Sequence, residues 1–347
     1  MIREKHPNIV LIFTDNQQAS TLACYGNSEV HTPNLDRLAK QGMVFDNAFC
    51  PNAFCSPCRA SVLTGLLPSQ HGVHSWIDDR NMNEWPDNWH ALDGLRTLPA
   101  TLQAAGYKTA LSGKYHLGEP TKSMVGFDYW CTMADGHVRS FYRNRITENN
   151  ETYDHEGHTV DFFTEKGVAF MEEQVAADQP FFLYLPYTVP HAQFEIPDLG
   201  PYENKKWPEQ AKIYAAMITR MDQDIGRILN LLKKLKIADN TLVIFTSDNG
   251  PHNEAKHNPE RFNPSGPLRG MKRTLTEGGI RVPTIAWWPN TVAKNSVSEQ
   301  PFYFGDLMGT ACEIAGASKP EVLDSVSFLP TLKTDSNKQL KHSYLYW

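Results

Sequence analysis

Asn8-Ile-Val-Leu-Ile-Phe13, followed at once by Thr14-Asp15-Asn16, is the stretch that decides the fold class. A short apolar run without polar alternation has no face to give to water, so it reads as a strand buried on both sides and running into a polar loop. Similar runs recur at 107–111, 181–185, 241–245 and 283–288. Helix-like stretches separate them at 33–40, 99–105, 159–175, 209–235 and 305–315. This alternation predicts an α/β fold with a mostly parallel or mixed central sheet and helices on both faces. Ligands of such sheets sit beyond the carboxyl ends of the strands. Asp15 and Asp248 each follow an apolar run, where a site is expected.

The chain has 347 residues, 41% hydrophobic and 21% charged, a composition that supports a large core and gives no reason to expect disorder. Its net charge of −6 argues against a general nucleic-acid binder, which needs a Lys and Arg surplus. No run approaches the roughly 20 apolar residues that span a bilayer. Residues 1–7 lack the apolar core of a signal peptide, so the expected location is cytoplasmic as written, or periplasmic or secreted if a leader has been removed. No internal repeat or low-complexity segment occurs. The proline-rich stretches 194–208 and 250–270 are expected to be long surface loops that shape a pocket.

The six cysteines are too sparse for a disulfide scaffold, and only Cys55 and Cys58 have suggestive spacing. They lie in Cys55-Ser-Pro-Cys-Arg59-Ala-Ser-Val-Leu-Thr-Gly65, where Pro57 suits a first helical turn and Gly65 suits a helix end. That places Cys55 at a helix N-terminus, where unpaired N–H groups favour an anion and Arg59 is one turn away. Taken alone, Cys-x-x-Cys reads as readily as a redox pair or half of a zinc site as it does as part of an anion site. No second such pair follows, and a redox motif leaves the rest of the chain unexplained.

Cys55-Ser56-Pro57-Cys58-Arg59 with Leu63-Thr64-Gly65 resembles the sulfatase signature, in which the first cysteine is converted to formylglycine. Further matches follow in order: residues 7–15, 32–39, Gly113-Lys-Tyr-His-Leu-Gly118, Pro190-His191, Ser247-Asp-Asn-Gly250 and 277–283. The resemblance covers nearly the whole chain and implies an alkaline phosphatase-like fold and hydrolysis of sulfate esters. It also implies a formylglycine-generating enzyme as a partner and a sulfated small molecule or saccharide as substrate, with no nucleic acid or membrane involved. A hydrated aldehyde suits this chemistry, because one hydroxyl attacks sulfur beside a divalent metal and the other lets the covalent intermediate collapse.

By the same resemblance, Asp15, Asn16, Asp248 and Asn249 would hold the metal, with Cys55, once converted, as a further contact. Oxygen donors suit Ca²⁺, or alternatively Mg²⁺, rather than zinc. The family usually has two acids at the first pair, whereas this chain has Asp15-Asn16, so Asn16 is the ligand that departs from the pattern. Arg59 and Lys114 would bind sulfate, His116 would act as base toward the nucleophile, and His191 and Lys272 would face the leaving oxygen. Lys114 and His116, two apart, would point to one side if the chain there is extended. Arg281 is expected to pair with Glu277.

Residues 71–80 and the group His137, Arg139 and Arg143 include sugar-binding types without earning an assignment. Two rival readings remain: a phosphate or phosphonate ester hydrolase of the same superfamily, and an inactive protein that binds sulfated glycans. Residues 1–347 read as one catalytic domain. The resemblance stops inside His342-Ser-Tyr-Leu-Tyr-Trp347, which looks like a starting strand, so the small C-terminal antiparallel subdomain usual in the family is expected to be absent.

Overall fold

The computed structural model describes residues 6–263 and 266–347, so residues 1–5 and positions 264–265 of the 250–270 stretch lie outside it. The described strands are β1 (Asn8–Thr14), β2 (Met43–Phe45), β3 (Ala48–Phe49), β4 (Lys108–Ser112), β5 (Tyr129–Met133), β6 (Asn144–Glu148), β7 (Glu151–His155), β8 (Phe181–Pro186), β9 (Thr241–Ser247), β10 (Thr284–Trp287), β11 (Ser296–Ser298) and β12 (Phe302–Tyr303). Ten of them form one sheet in the order β11-β2-β10-β9-β1-β8-β4-β5-β6-β7, and β3 and β12 pair separately. Strands β9, β1, β8, β4 and β5 run parallel, while β10, β6 and β7 join antiparallel. The sheet is therefore mixed, with its parallel part where the apolar runs predict it.

All seven residues of β1 are buried, and alternation along the strand divides the core in two. Ile9, Leu11 and Phe13 pack with the helices Cys55–Thr64, Leu98–Ala104 and Asp306–Ala315. Val10 and Ile12 pack on the other face with Pro33–Gln41, Thr159–Ala176 and Glu209–Lys234. A strand covered on both faces has no use for polar alternation, which is why its sequence reads as a continuous apolar run.

Three expectations are corrected. The 283–288 run forms the strand Thr284–Trp287, yet it runs antiparallel to β9. The 194–208 stretch is not purely surface, because Tyr202 is buried and its hydroxyl receives the His31 N–H at 2.7 Å. Residues 342–347 form no strand, since no described strand lies beside them to complete a ladder. They are anchored by side chains instead: His342 Nε2 lies 2.8 Å from Asp306 Oδ1, and Trp347 Nε1 donates to the Cys50 carbonyl at 2.8 Å. No helix among the described residues is long and apolar enough to cross a membrane.

Candidate functional site

The site lies where the parallel strands end. β1 and β9 pair in register through Thr14 and Ser247, so the next residues, Asp15 and Asp248, emerge side by side. The Asp248 N–H donates to the Thr14 carbonyl at 3.0 Å, and the Asn16 N–H donates to Asp248 Oδ1 at 2.9 Å. Both carboxylates are fully buried. Burial opposes charge on Asp15, but Lys114, His191 and Arg59 override it and hold its carboxyl below the usual range. Burial and then the charge of Asp15 push the Asp248 carboxyl up to about 7, against the pull of Arg59.

The helix Cys55–Thr64 starts at the predicted residue and ends on Gly65, whose φ of +71° closes it in the left-handed region. Cys55 Sγ at its N-terminus is 3.3 Å from His116 Nδ1. The other ring nitrogen, His116 Nε2, is 2.9 Å from the Ile77 carbonyl. That carbonyl can only accept, so the proton sits on Nε2 and the Nδ1 lone pair faces residue 55. Burial first, then Lys114, pushes the His116 pKa well below the usual imidazole value, so the ring is a neutral acceptor at pH 7.

Lys114 and His116 do meet in the site, although not by strand alternation. His116 has a φ of +55°, which turns the ring back toward the helix. Just before them Gly113 has a φ of +141°, and a Cβ there would stand 2.2 Å from the Pro186 carbonyl oxygen. Lys114 Nζ lies 2.6 Å from Asp15 Oδ2. Burial alone would discourage its charge, but Asp15 raises its pKa above the ordinary lysine value.

Arg59 does not face the cavity. It is fully buried beneath the carboxylates, with Nη2 3.1 Å from Asp248 Oδ2 and 3.3 Å from Asp15 Oδ2, while Nη1 donates to the Lys114 carbonyl at 3.0 Å. In this structure the guanidinium of Arg59 pairs with both acids of the site. A planar, forked donor inserted between two carboxylates suits that role better than a flexible lysine does.

The opening above Cys55 is a cavity of about 330 Å³ lined by Trp76, Lys114, His116, His137, His191 and Lys272 among others. A larger cavity of about 410 Å³ includes Gln17, Tyr25 and Arg281 but not Cys55, so size alone misplaces the chemistry. Arg281 is structural as expected, with Nη1 3.1 Å from Glu277 Oε2. Of the sugar-binding types, Trp76 and His137 reach the cavity, whereas Asp79 is buried behind His137 and His71 is buried against Ser61 Oγ at 3.0 Å.

Two residues went unmarked in the sequence, Glu254 and His252. Glu254 lines the cavity and receives a hydrogen bond from Lys272 Nζ at 3.1 Å. Both lie four residues or fewer beyond Gly250, in a stretch that reads only as a loop; their closeness to Ser247-Asp-Asn-Gly250 was the available signal.

Among the described residues no three His, Cys, Asp or Glu side chains gather as a metal cluster. Oxygen donors are nevertheless available. Asp15 Oδ1 and Asn249 Oδ1 are buried without a hydrogen-bond partner, and an orphaned buried oxygen is costly unless something binds it. The Asn249 orientation is fixed, because its Nδ2 donates to the Gly250 carbonyl and to Asn16 Oδ1, both at 2.8 Å. Asn16 differs: its oxygen already accepts from Asn249, which leaves one lone pair for a cation.

Cys58, the other half of the pair, points away from the cavity and donates to the Asn52 carbonyl at 2.7 Å. Burial, reinforced by Cys50, raises its thiol pKa well above the ordinary value, which disfavours thiolate chemistry. Cys58→Ala is expected to cost roughly 1–2 kcal/mol of stability, from a lost buried contact and hydrogen bond, and to leave turnover nearly intact. Chemical denaturation alongside a turnover assay checks this; loss of activity as complete as for Cys55 would restore the redox reading.

The chain matches the sulfatase family model over residues 7–317. It is 33% identical to human N-acetylgalactosamine-6-sulfatase, over 94% of this chain and 66% of that protein, so it spans slightly less than two thirds of that relative's length. A sulfatase of Formosa agariphila is 30% identical, with 98% of this chain and 75% of that protein covered. The crystal structure of Ps i-CgsB in complex with k-i-k-neocarrahexaose superposes with a TM-score of 0.85 at 28% identity, covering 95% of this chain and 77% of that one. A match across nearly all of the chain, with the signature cysteine at a helix N-terminus against a histidine ring, is decisive: the chain belongs to the sulfatase family.

Proposed function

We propose that this chain hydrolyses sulfate monoesters carried by saccharides. The observation that supports it most is Cys55 at a helix N-terminus, 3.3 Å from a histidine acceptor, at the floor of a cavity lined by Lys114, His191 and Lys272. Helix N–H groups and two lysines favour an anionic ester there. The relatives include N-acetylgalactosamine-6-sulfatases, and Ps i-CgsB holds a carrageenan oligosaccharide. Trp76 and His137 add an aromatic plane and a polar ring at the same cavity, as sugar sites require.

Cys55 is the residue to be oxidised to formylglycine by a formylglycine-generating enzyme, giving a hydroxyl nucleophile in place of the thiol. His116 accepts a proton from that side chain through Nδ1, the nitrogen left free by the Nε2–H···O=C bond to Ile77. Lys114 binds and neutralises the sulfate, while His191 and Lys272 attend the departing oxygen.

Asp15, Asp248 and Asn249 would hold one divalent cation through the free oxygens of Asp15 and Asn249 and the carboxylate of Asp248. Two carboxylates plus an amide oxygen in a buried setting favour Ca²⁺ over Mg²⁺, which keeps more of its water. The cation would supply positive charge beside residue 55 and the anionic ester. Protein converted at residue 55 is expected to release sulfate from sulfated galactosamine and carrageenan oligosaccharides faster than it cleaves aryl phosphates or phosphonates. The reverse preference would favour the phosphoryl reading, and no turnover of any of them would leave a glycan-binding protein.

A further inference from the structure

A pocket for an anion has little apparent use for a carboxylate, since negative charge repels the substrate. Glu254 nevertheless lines the cavity. Its Oε1 is taken by Arg273 Nη2 at 2.6 Å, while Oε2 lies 3.1 Å from Lys272 Nζ and 3.8 Å from His191 Nε2. One carboxylate oxygen therefore faces both groups on the leaving-oxygen side.

The arrangement is braced from below. His252 is buried, and its ring joins the two segments: Nδ1 accepts the Glu254 N–H at 3.1 Å, and Nε2 donates to the Pro190 carbonyl at 3.3 Å. This pattern needs a neutral ring, and burial brings the His252 pKa down to about 4. Phe194 packs against the ring at 5.9 Å and His257 at 5.4 Å. One rigid side chain thus fixes the backbone of Glu254 relative to the residue before His191.

The His191 ring is oriented as well. Its Nδ1 lies 2.9 Å from the Ala192 carbonyl, so that nitrogen carries the proton and Nε2 is the one facing Glu254. The charges facing His191 are Asp15, Lys114, Lys272 and Glu254, and neutral His252 stacks at 6.4 Å. Burial first, then Lys114 and Lys272, brings the His191 pKa down to about 3 against the pull of Asp15, so the ring rests neutral with its Nε2 lone pair on the Glu254 side.

We infer that Glu254, braced by His252, is a positioning residue for departure of the ester oxygen, an inference that rests on the sulfatase reading. It holds the Lys272 ammonium on the leaving-oxygen side of the cavity, beside Nε2 of His191. As a new oxygen bonds to sulfur, the sulfur–ester oxygen bond breaks. The ester oxygen keeps the bonding pair, takes a proton from Lys272 Nζ and leaves as an alcohol, and Lys272 is left as a neutral amine.

The discriminating measurement is leaving-group dependence. Glu254→Gln in the converted full chain is expected to lower kcat by ~10²-fold on a saccharide sulfate, whose alkoxide needs a proton, and by no more than ~3-fold on nitrophenyl sulfate, whose phenolate does not. Equal losses on the two esters, or no loss on either, would overturn the inference. Failure of the wild-type protein on both esters would instead remove the sulfatase reading beneath it. Should the glutamine variant fail to fold, Glu254→Asp carries the test, because it keeps the charge for Arg273 while withdrawing the carboxylate from Lys272 and His191. The same selectivity for the saccharide ester is expected.

Discussion

Cys55→Ala is expected to abolish sulfate ester turnover, by roughly 10⁴-fold or more, as removal of a covalent nucleophile does elsewhere. The fold should survive. Cys55 opens a helix whose ten residues are all buried, and alanine keeps the helix while removing one sulfur atom. A deletion of that size costs about 1 kcal/mol, against the roughly 5–15 kcal/mol typical of a whole domain. Thermal unfolding and sulfate release, measured on the same preparation, separate the two effects. Wild-type turnover by a well-folded alanine variant would remove residue 55 from the chemistry.

The second large effect is expected at Asp248. Truncation to alanine would strand Arg59 on a single acid, and breaking a buried pair typically costs about 3–5 kcal/mol, enough to confuse instability with lost function. Asp248→Asn avoids this, because the amide oxygen can still receive the Asn16 N–H now bonded at 2.9 Å. The variant loses one of the two carboxylates of the proposed site and leaves the orphaned oxygens of Asp15 and Asn249 as they are. It is expected to lose stoichiometric metal and to drop in turnover by ~10²-fold or more. Elemental analysis with and without chelator should find Ca²⁺ or Mg²⁺ in the wild type and little in Asp248→Asn. Stoichiometric zinc retained by the variant would contradict the proposed site.

Much of this architecture can be read from local sequence. The run ending at Asp15 and the one ending at Asp248 announce their strands, because residues buried on both faces must be apolar throughout. That β1 and β9 are neighbours in register is not local information, so the contact between the two acids had to come from the family pattern. Strand β7 escapes the same reading for the opposite reason. At the sheet edge it needs no apolar face, and β7, Glu151–His155, is exposed along most of its length.

Site residues divide in the same way. Cys55, Lys114, His116, His191 and Lys272 sit in short motifs and gather around one cavity. Arg59 belongs to the motif too, yet its side chain turns beneath the acids, because two buried carboxylates without a guanidinium between them would repel each other. Backbone geometry hides the rest. The left-handed conformation of His116 reverses the direction that an extended chain would give, and no residue type announces it. Glu254 becomes meaningful only once His252 has tied its turn to Pro190 across the cavity.

Sulfate release is the most direct test, on protein whose peptide containing residue 55 shows by mass the exchange of thiol for aldehyde. With full conversion confirmed, a sulfated saccharide should yield free sulfate and desulfated sugar, while the Cys55→Ala protein yields neither. A fully converted, folded protein that releases no sulfate from any saccharide or aryl ester would contradict the proposed function.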